Sequence, residues 1–204
     1  SANGTLWPLC HYRLGLPSIR KADWEGYRRV NEHFARALMP LLKPDDIVWV
    51  HDYHFIPLAA ELRKLGFTGR IGYFHHIPWP TPEVYLSLPS HAALVDDLSH
   101  YDLVGLQTEN DVRALLTYIS SEIRGWIAPG GTVGLKDRRF RVAAYPIGID
   151  ADAFVSDAQK SVGKDEERRL NESLAGRMLA VGVDRLDYSK GLPGKFAAFG
   201  ELLR

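Results

Sequence analysis

Four short apolar runs, each passing into a polar tail, constrain this chain more than any other feature. "IVWV" (47–50) leads into "HDYH", and "RIGYFHH" (70–76) leads into "IPWP". Leu103-Val104 forms a short strand core ahead of "LQTEND", and "FRVAAYPIGID" (140–150) reads as a strand turning out into a loop. Helical faces lie between them. Tyr27, Val30, Phe34, Leu38 and Leu41 recur every three or four residues, which predicts a helix over 27–42 ending before Asp45-Asp46. A second helix begins near Pro57, carries Leu58, Leu62 and Leu65 on one side and stops at Gly66. A third starts at Thr108, whose hydroxyl can cap it while Asp111 supplies the reciprocal carboxylate; Val112, Leu115, Leu116 and Ile119 give its apolar face. Strands alternating with such helices predict an α/β fold with a parallel sheet covered on both faces. Sheets of this kind bind ligands beyond the carboxyl ends of their strands. By that rule "HDYH", "FHHIPWP", "LQTEND" and "YPIGID" gather around one crevice.

The other segments are read differently. The first 26 residues carry aromatics and turn residues without a period, which predicts ordered loop with short turns. "IPWPTPEVY" is a proline-stiffened loop. "GGTVG" (130–134) does not fit GxGxxG and reads as a hairpin turn or exposed loop. Residues 156–175 are strongly charged, as a solvated helix between regions would be. "MLAVGV" (178–183) starts a new strand, and "GLPGKFAAFGELLR" is its following helix, with Pro193 near the start and Phe196, Phe199 and Leu203 on one side. One strand and one helix cannot bury both faces of a second domain. The expected organisation is therefore a slice of a larger two-domain protein. Residues 1–150 form most of a first domain that lacks its N-terminal part, 151–176 connect, and 177–204 begin the second domain.

Composition narrows the function classes. Lys and Arg together equal Asp and Glu at 25 each, so the formal charge is zero, which argues against a nucleic-acid partner. Cys10 is the sole cysteine, which excludes an internal disulfide framework and a thiolate metal cluster; it reads as a small buried hydrophobe. No run of about 18 apolar residues or signal peptide is visible, so no membrane partner is expected and a cytoplasmic location is.

Two cations stand out in "GVDRLDYSKGL" (182–192). Arg185 offers a rigid fork suited to phosphate oxygens and Lys190 a mobile point charge. They precede a helix N-terminus that favours an anion, which points to a diphosphate; the plain alternative is a surface ion pair on a turn. Asp52, between a strand and a helix, can accept hydrogen bonds from sugar hydroxyls or act as a base. His51 and His54 flank it in sequence, and with His75 and His76 they offer a possible metal cluster. The spacing is not diagnostic of a metal site, and hydrogen-bonding roles at strand ends suit the histidines better. Adjacent strand residues point to opposite faces, so one of His75 and His76 faces the crevice; His76, nearer the strand end, is the candidate. Trp79 is expected to pack. Trp7 can cover the apolar face of a sugar ring or simply fill the core.

Taken together, "LWPLCHYR", "WEGYRRVN", "VWVHDYHFIPLAAELRKLG", "IGYFHHIPWPTPEVYLSLP", "YDLVGLQTENDV", "YPIGID" and "GVDRLDYSKGL" resemble the trehalose-6-phosphate synthase family of retaining glycosyltransferases, family 20, in order and over nearly the whole chain. The resemblance implies a GT-B fold, two Rossmann-like domains facing a cleft. It implies transfer of glucose from a nucleotide sugar, UDP-glucose foremost, to glucose 6-phosphate, with no cofactor and no metal. By resemblance the catalytic residues are Asp52, Arg185 and Lys190. Arg185 and Lys190 match the pair that grips the donor diphosphate, and Asp52 the cleft aspartate that contacts the reacting sugars. His76 matches a histidine that bonds the donor glucose, and Trp7 an aromatic near the phosphorylated acceptor. The family's N-terminal glycine loop and its later donor-binding carboxylates have no counterpart in this sequence, so this stretch alone is expected to be inactive. His75 and Trp79 stand where the more familiar family form has leucine and phenylalanine, a change that repacks the site or alters the substrate. Another acceptor such as glycerol 3-phosphate, or a non-catalytic sugar-phosphate-binding homologue, is the alternative. A homo-oligomer stays open.

Overall fold

In β1 (Ile47–His51) the period-two pattern sets the direction of every side chain: Val48 and Val50 are buried, while Ile47, Trp49 and His51 face outward. The computed structural model describes residues 2–15 and 20–204. β1 is one edge of a six-stranded sheet with β2 (Arg70–Phe74), β3 (Leu103–Leu106), β4 (Trp126–Ala128), β5 (Thr132–Leu135) and β6 (Arg138–Ala144), in the order β1-β2-β3-β6-β5-β4. β1, β2, β3 and β6 run parallel, whereas β4 and β5 pair antiparallel with their neighbours. The sheet is therefore mixed, not parallel throughout. The departure comes from a hairpin that the sequence reading took only as a turn. Gly130 and Gly131 adopt φ of +78° and +79°, which glycine tolerates, and so reverse the chain between two short strands.

The helices account for the buried face. α1 (Ala2–Cys10) and α2 (Lys21–Leu38) occupy most of the stretch expected to be loop; residues 16–19 of that stretch lie outside the described residues. α1 buries Leu6, Leu9 and Cys10, so the cysteine is the small hydrophobe expected of it. α2 stops at Leu38 instead of running to 42, because Pro40 enters a 3₁₀ turn over Met39–Leu41. α3 (Leu58–Lys64) follows Pro57 and ends with Gly66 at φ +93°. α4 (Pro82–Tyr85) and α5 (His91–Leu98) arise within and after the segment read as a stiff loop, Pro82 fitting the first turn of α4. α6 (Glu109–Ser121) has the reciprocal Thr108–Asp111 cap. Leu62, Ile71, Tyr73, Leu94, Leu98, Val104, Leu106 and Leu115 form the centre of the core.

Ion pairs pin helices over that core. Arg28 of α2 bonds the carboxylates of Asp97 on α5 and Glu61 on α3, the latter at 3.1 Å. Burial outweighs Arg28 at Asp97 and pushes its carboxyl up to about 6. Asp102 accepts from the Ile71 N–H at 2.7 Å and from Arg63 at 3.1 Å, which fixes the start of β2.

Contacts divide the chain into two units, Ser1–Ile147 and Gly148–Arg204. The second holds α7 (Ala151–Ser161), α8 (Asp165–Leu174) and α9 (Leu192–Leu202), none with a buried residue. The charged segment is thus two helices, parted at Gly163 (φ +79°), and not one. The strand expected over 178–183 is not formed. No strand among the described residues pairs with it, and its apolar side chains lie open, with Met178 100% and Val183 90% exposed. A β-strand is satisfied by a neighbouring ladder, and without one the apolar pattern alone does not make it.

Candidate active site

The carboxyl ends of the parallel strands carry the polar tails. At the end of β1 the chain turns at Asp52, which takes φ +70°, ψ 167°. A non-glycine residue there is strained by contact between its Cβ and the backbone. Two bonds hold it. Its N–H donates to the Phe74 carbonyl at 2.8 Å, carrying the β1–β2 ladder one step further, and its Oδ1 accepts from the His76 N–H at 3.3 Å.

The two neighbouring histidines separate as pleating demands. His75 is buried; its Nδ1 lies 2.7 Å from the Tyr73 hydroxyl and its ring meets Trp79 edge-on at 5.2 Å. Burial pushes His75 down to about 4, against the opposing fields of Asp52 and Asp111. His76 is exposed, with its Nε2 2.9 Å from Nδ1 of His51 and the two rings stacked at 5.2 Å. Trp79 is buried, as a packing residue. Both His75 and Trp79 of "FHHIPW" thus turn into the core and away from the exposed edge.

Hydrogen bonds link all four strand tails within the first unit. Asp52 joins "HDYH" to "HHIPWP". Asp111 joins "HHIPWP" to "TEND": one oxygen accepts from the Trp79 N–H at 2.9 Å, the other from the Thr108 N–H at 3.0 Å and hydroxyl at 2.7 Å. Gln107 Oε1 accepts from the Ile147 N–H at 3.2 Å and ties the third tail to the fourth. The crevice edge inferred from strand order is a connected polar rim.

α1 adds a side to that rim. Asn3 Oδ1 accepts from the Tyr53 hydroxyl at 2.7 Å and lies 2.8 Å from His54 Nε2. Trp7, one turn along α1, is half-buried, 4.2 Å from the His11 ring and 6.0 Å from that of Tyr53. The rim brings Asp52 and His76 into direct contact and sets Trp7 beside Tyr53, the residue after Asp52. Asn3, Asp111 and the pairing of His51 with His76 were not anticipated. The Asp111 link had a visible signal in the Thr108–Asp111 cap; the Asn3 link spans some fifty positions and had none. Among the described residues no group of three or more His, Cys, Asp or Glu is arranged to hold a metal ion.

In the second unit, the Asp187 side chain accepts from the Ser189 N–H at 2.8 Å and starts a 3₁₀ turn over Tyr188–Lys190. Gly191 (φ +64°) then leads into α9. Arg185 and Lys190 are exposed, and among the described residues no ion pair engages either. The neighbouring Asp184 pairs instead with Lys195.

At the carboxyl edge of this α/β sheet a carboxylate is bonded to the main chain of the next strand tail, whose imidazole stands exposed beside it, in the place where sheets of this kind bind ligands. The chain belongs to glycosyltransferase family 20, whose model matches residues 1–204. A trehalose-6-phosphate synthase of Sinorhizobium fredii is 46% identical over 198 residues, 97% of this chain and 43% of that protein. A Citrobacter koseri protein of the same name is 46% identical over 202 residues, 99% of this chain and 42% of its own length. Among solved structures, an alpha,alpha-trehalose-phosphate synthase (UDP-forming) from Burkholderia xenovorans, in complex with glucose-6-phosphate, is 46% identical with a TM-score of 0.92, covering 99% of this chain and 45% of that one. The α/β fold matches these GT-B structures, and the chain spans less than half the length of the relatives it resembles. Among the described residues no helix is long and apolar enough to cross a membrane.

Proposed function

We propose that the protein carrying these residues is a retaining glucosyltransferase that moves glucose from UDP-glucose to glucose 6-phosphate and forms trehalose 6-phosphate. The observation that carries this reading is the pairing of Asp52 with His76 at the carboxyl edge of the sheet, in a chain similar along its whole length to synthases of that product. Residues 1–150 form the acceptor-side domain, 151–176 connect, and 177–204 open the domain that binds the nucleotide sugar. Asp52 orients acceptor hydroxyls and His76 bonds the donor glucose. Trp7 lies near the acceptor phosphate. Arg185 and Lys190 hold the donor diphosphate and stabilise the charge that develops on it.

In the transfer, the bond between glucose C1 and the diphosphate oxygen breaks, and an acceptor hydroxyl oxygen bonds C1 on the same face. The hydroxyl proton passes to the departing phosphate oxygen. No protein nucleophile is needed, and Asp52 acts by orientation and electrostatics. Both substrates are phosphorylated and too charged to cross a membrane unaided, which suits a cytoplasmic enzyme.

The test is nucleotide release by the full-length protein given UDP-glucose, with and without glucose 6-phosphate, with product mass read in parallel. Acceptor-dependent release with a phosphorylated disaccharide is expected. Release with glycerol 3-phosphate alone would replace the acceptor, and no release from any nucleotide glucose would replace the reading by a non-catalytic one. Arg185→Ala is expected to weaken UDP binding by about a hundredfold, measured by calorimetry, because a charge-assisted contact to phosphate is lost.

A further inference from the structure

We propose that His51 is a positioning residue for His76: it holds the His76 ring through its Nε2 and leaves Nδ1 as the nitrogen that His76 offers to a ligand. The proposal deepens the transferase reading and rests on it for the identity of that ligand, the donor sugar.

The placement follows from the strand pairing. In the parallel register His51 lies beside Phe74, and His76 follows Phe74 by two residues, on the same face. Trp49, His51, His76 and Phe74 therefore make one row of rings, with successive centroids 5.7, 5.2 and 4.9 Å apart. Within that row His51 Nδ1 and His76 Nε2 stand 2.9 Å apart, a hydrogen-bond distance. On the backbone side, the carboxylate of Asp52 accepts the His76 N–H. His76 is thus fixed at two points, its main chain by the residue that follows His51 and its ring by His51 itself.

A bond between two neutral imidazoles needs one N–H and one lone pair. If the shared proton sits on His51 Nδ1, His76 carries its own proton on Nδ1 and presents a donor. If it sits on His76 Nε2, His76 Nδ1 presents an acceptor. Either way His51 ties the tautomer of His76 to its own: the lower-energy form of the pair sets which group His76 Nδ1 shows the sugar, whereas an exposed imidazole without this partner samples both forms and several rotamers. Orientation by an outer hydrogen bond is the usual means of fixing a functional histidine.

The test uses the full-length protein labelled with 15N-histidine. Long-range 1H–15N spectra are expected to show one dominant tautomer for His76, assigned by loss of its signals in His76→Ala. His51→Phe keeps the ring stack and removes the hydrogen bond; it is expected to mix the two tautomers. His51→Asn places an amide where Nδ1 lay and is expected to restore a single one. In turnover, His51→Phe should lower kcat/KM for UDP-glucose about tenfold, the effect of one hydrogen bond, with the KM for glucose 6-phosphate unchanged. In a His76→Ala background the same change should cost nothing further. An unchanged His76 tautomer in His51→Phe, or an undiminished penalty without His76, overturns the proposal. Should the wild-type protein release no nucleotide from any donor, the transferase reading fails, and the spectra alone decide whether His51 positions His76.

Discussion

"IVWV" and "MLAVGV" look alike as sequence, yet the first is a strand and the second is not. Each is a short apolar run beside polar residues and ahead of a helix. β1 has β2 alongside in parallel register from Ile47 to His51, and its alternate residues Val48 and Val50 are buried under helices. Residues 178–183 have no such neighbour among the described residues and leave Met178 and Val183 open. The difference is one of context. A strand's backbone groups must be paired, and apolar patterning contributes to stability only when there is a surface to bury it against.

Hydrogen exchange should sharpen that contrast most. In the 204-residue chain the amides of Ile71, Tyr73 and Val104 are expected to exchange about a thousandfold or more slowly than those of 178–183, because the former open only with the core. A longer protein that supplies a partner strand would protect 178–183 and erase the contrast. Equivalent protection in the 204-residue chain itself would break it. Leu94→Ala should destabilise the first unit by about 2–5 kcal/mol in urea unfolding, by loss of a fully buried side chain and the cavity left behind. Val183→Ser should change stability by less than about 0.5 kcal/mol.

The core also contains two titrating groups that pull in opposite directions. Asp97, raised by burial from 3.8 to about 6, holds a proton in the folded chain that the unfolded chain has released. Its contribution to stability therefore falls as pH rises from 4 to 6. His75, lowered by burial from 6.5 to about 4, is neutral in the folded chain where the unfolded chain is charged, so its contribution rises between pH 4 and 6.5. Each is worth roughly 3 kcal/mol across its window, and in the native chain they largely cancel. Unfolding midpoints against pH should climb more steeply in Asp97→Asn than in the native chain, and less steeply in His75→Leu. Thr108→Ala removes one side of the α6 cap and a bond to Asp111; a loss of about 1 kcal/mol is expected by the same measurement.

What was legible in the sequence follows the same physics. β1, β2, β3 and the α6 cap could be read because pattern, turn residues and tertiary role agree in them. The rule that ligands lie beyond strand ends then picked out Asp52 and His76 before any distance was known. α1 was missed because Pro8 and the mix of aromatics hide its face: its burial is set by what it packs against and not by a period of its own. The strands β4 and β5 either side of the glycine turn were missed because three and four residues carry too few alternations to register, and Gly134 leaves room for Trp126 where a side chain would collide with it. His51 was noticed only as one of several histidines. Its partnership with His76 depends on the β1–β2 register, which no single strand discloses.

Asp52 carries a consequence for selection. A backbone at φ +70° with ψ near 167° is one that glycine adopts freely and that charges aspartate about 1–3 kcal/mol. Breeding this protein for heat tolerance alone, with no demand on turnover, would thus draw position 52 toward glycine. Survivors would be sturdier and would lack the carboxylate at the sheet edge. The carboxylate at the sheet edge thus stands on a backbone that glycine would hold at lower cost.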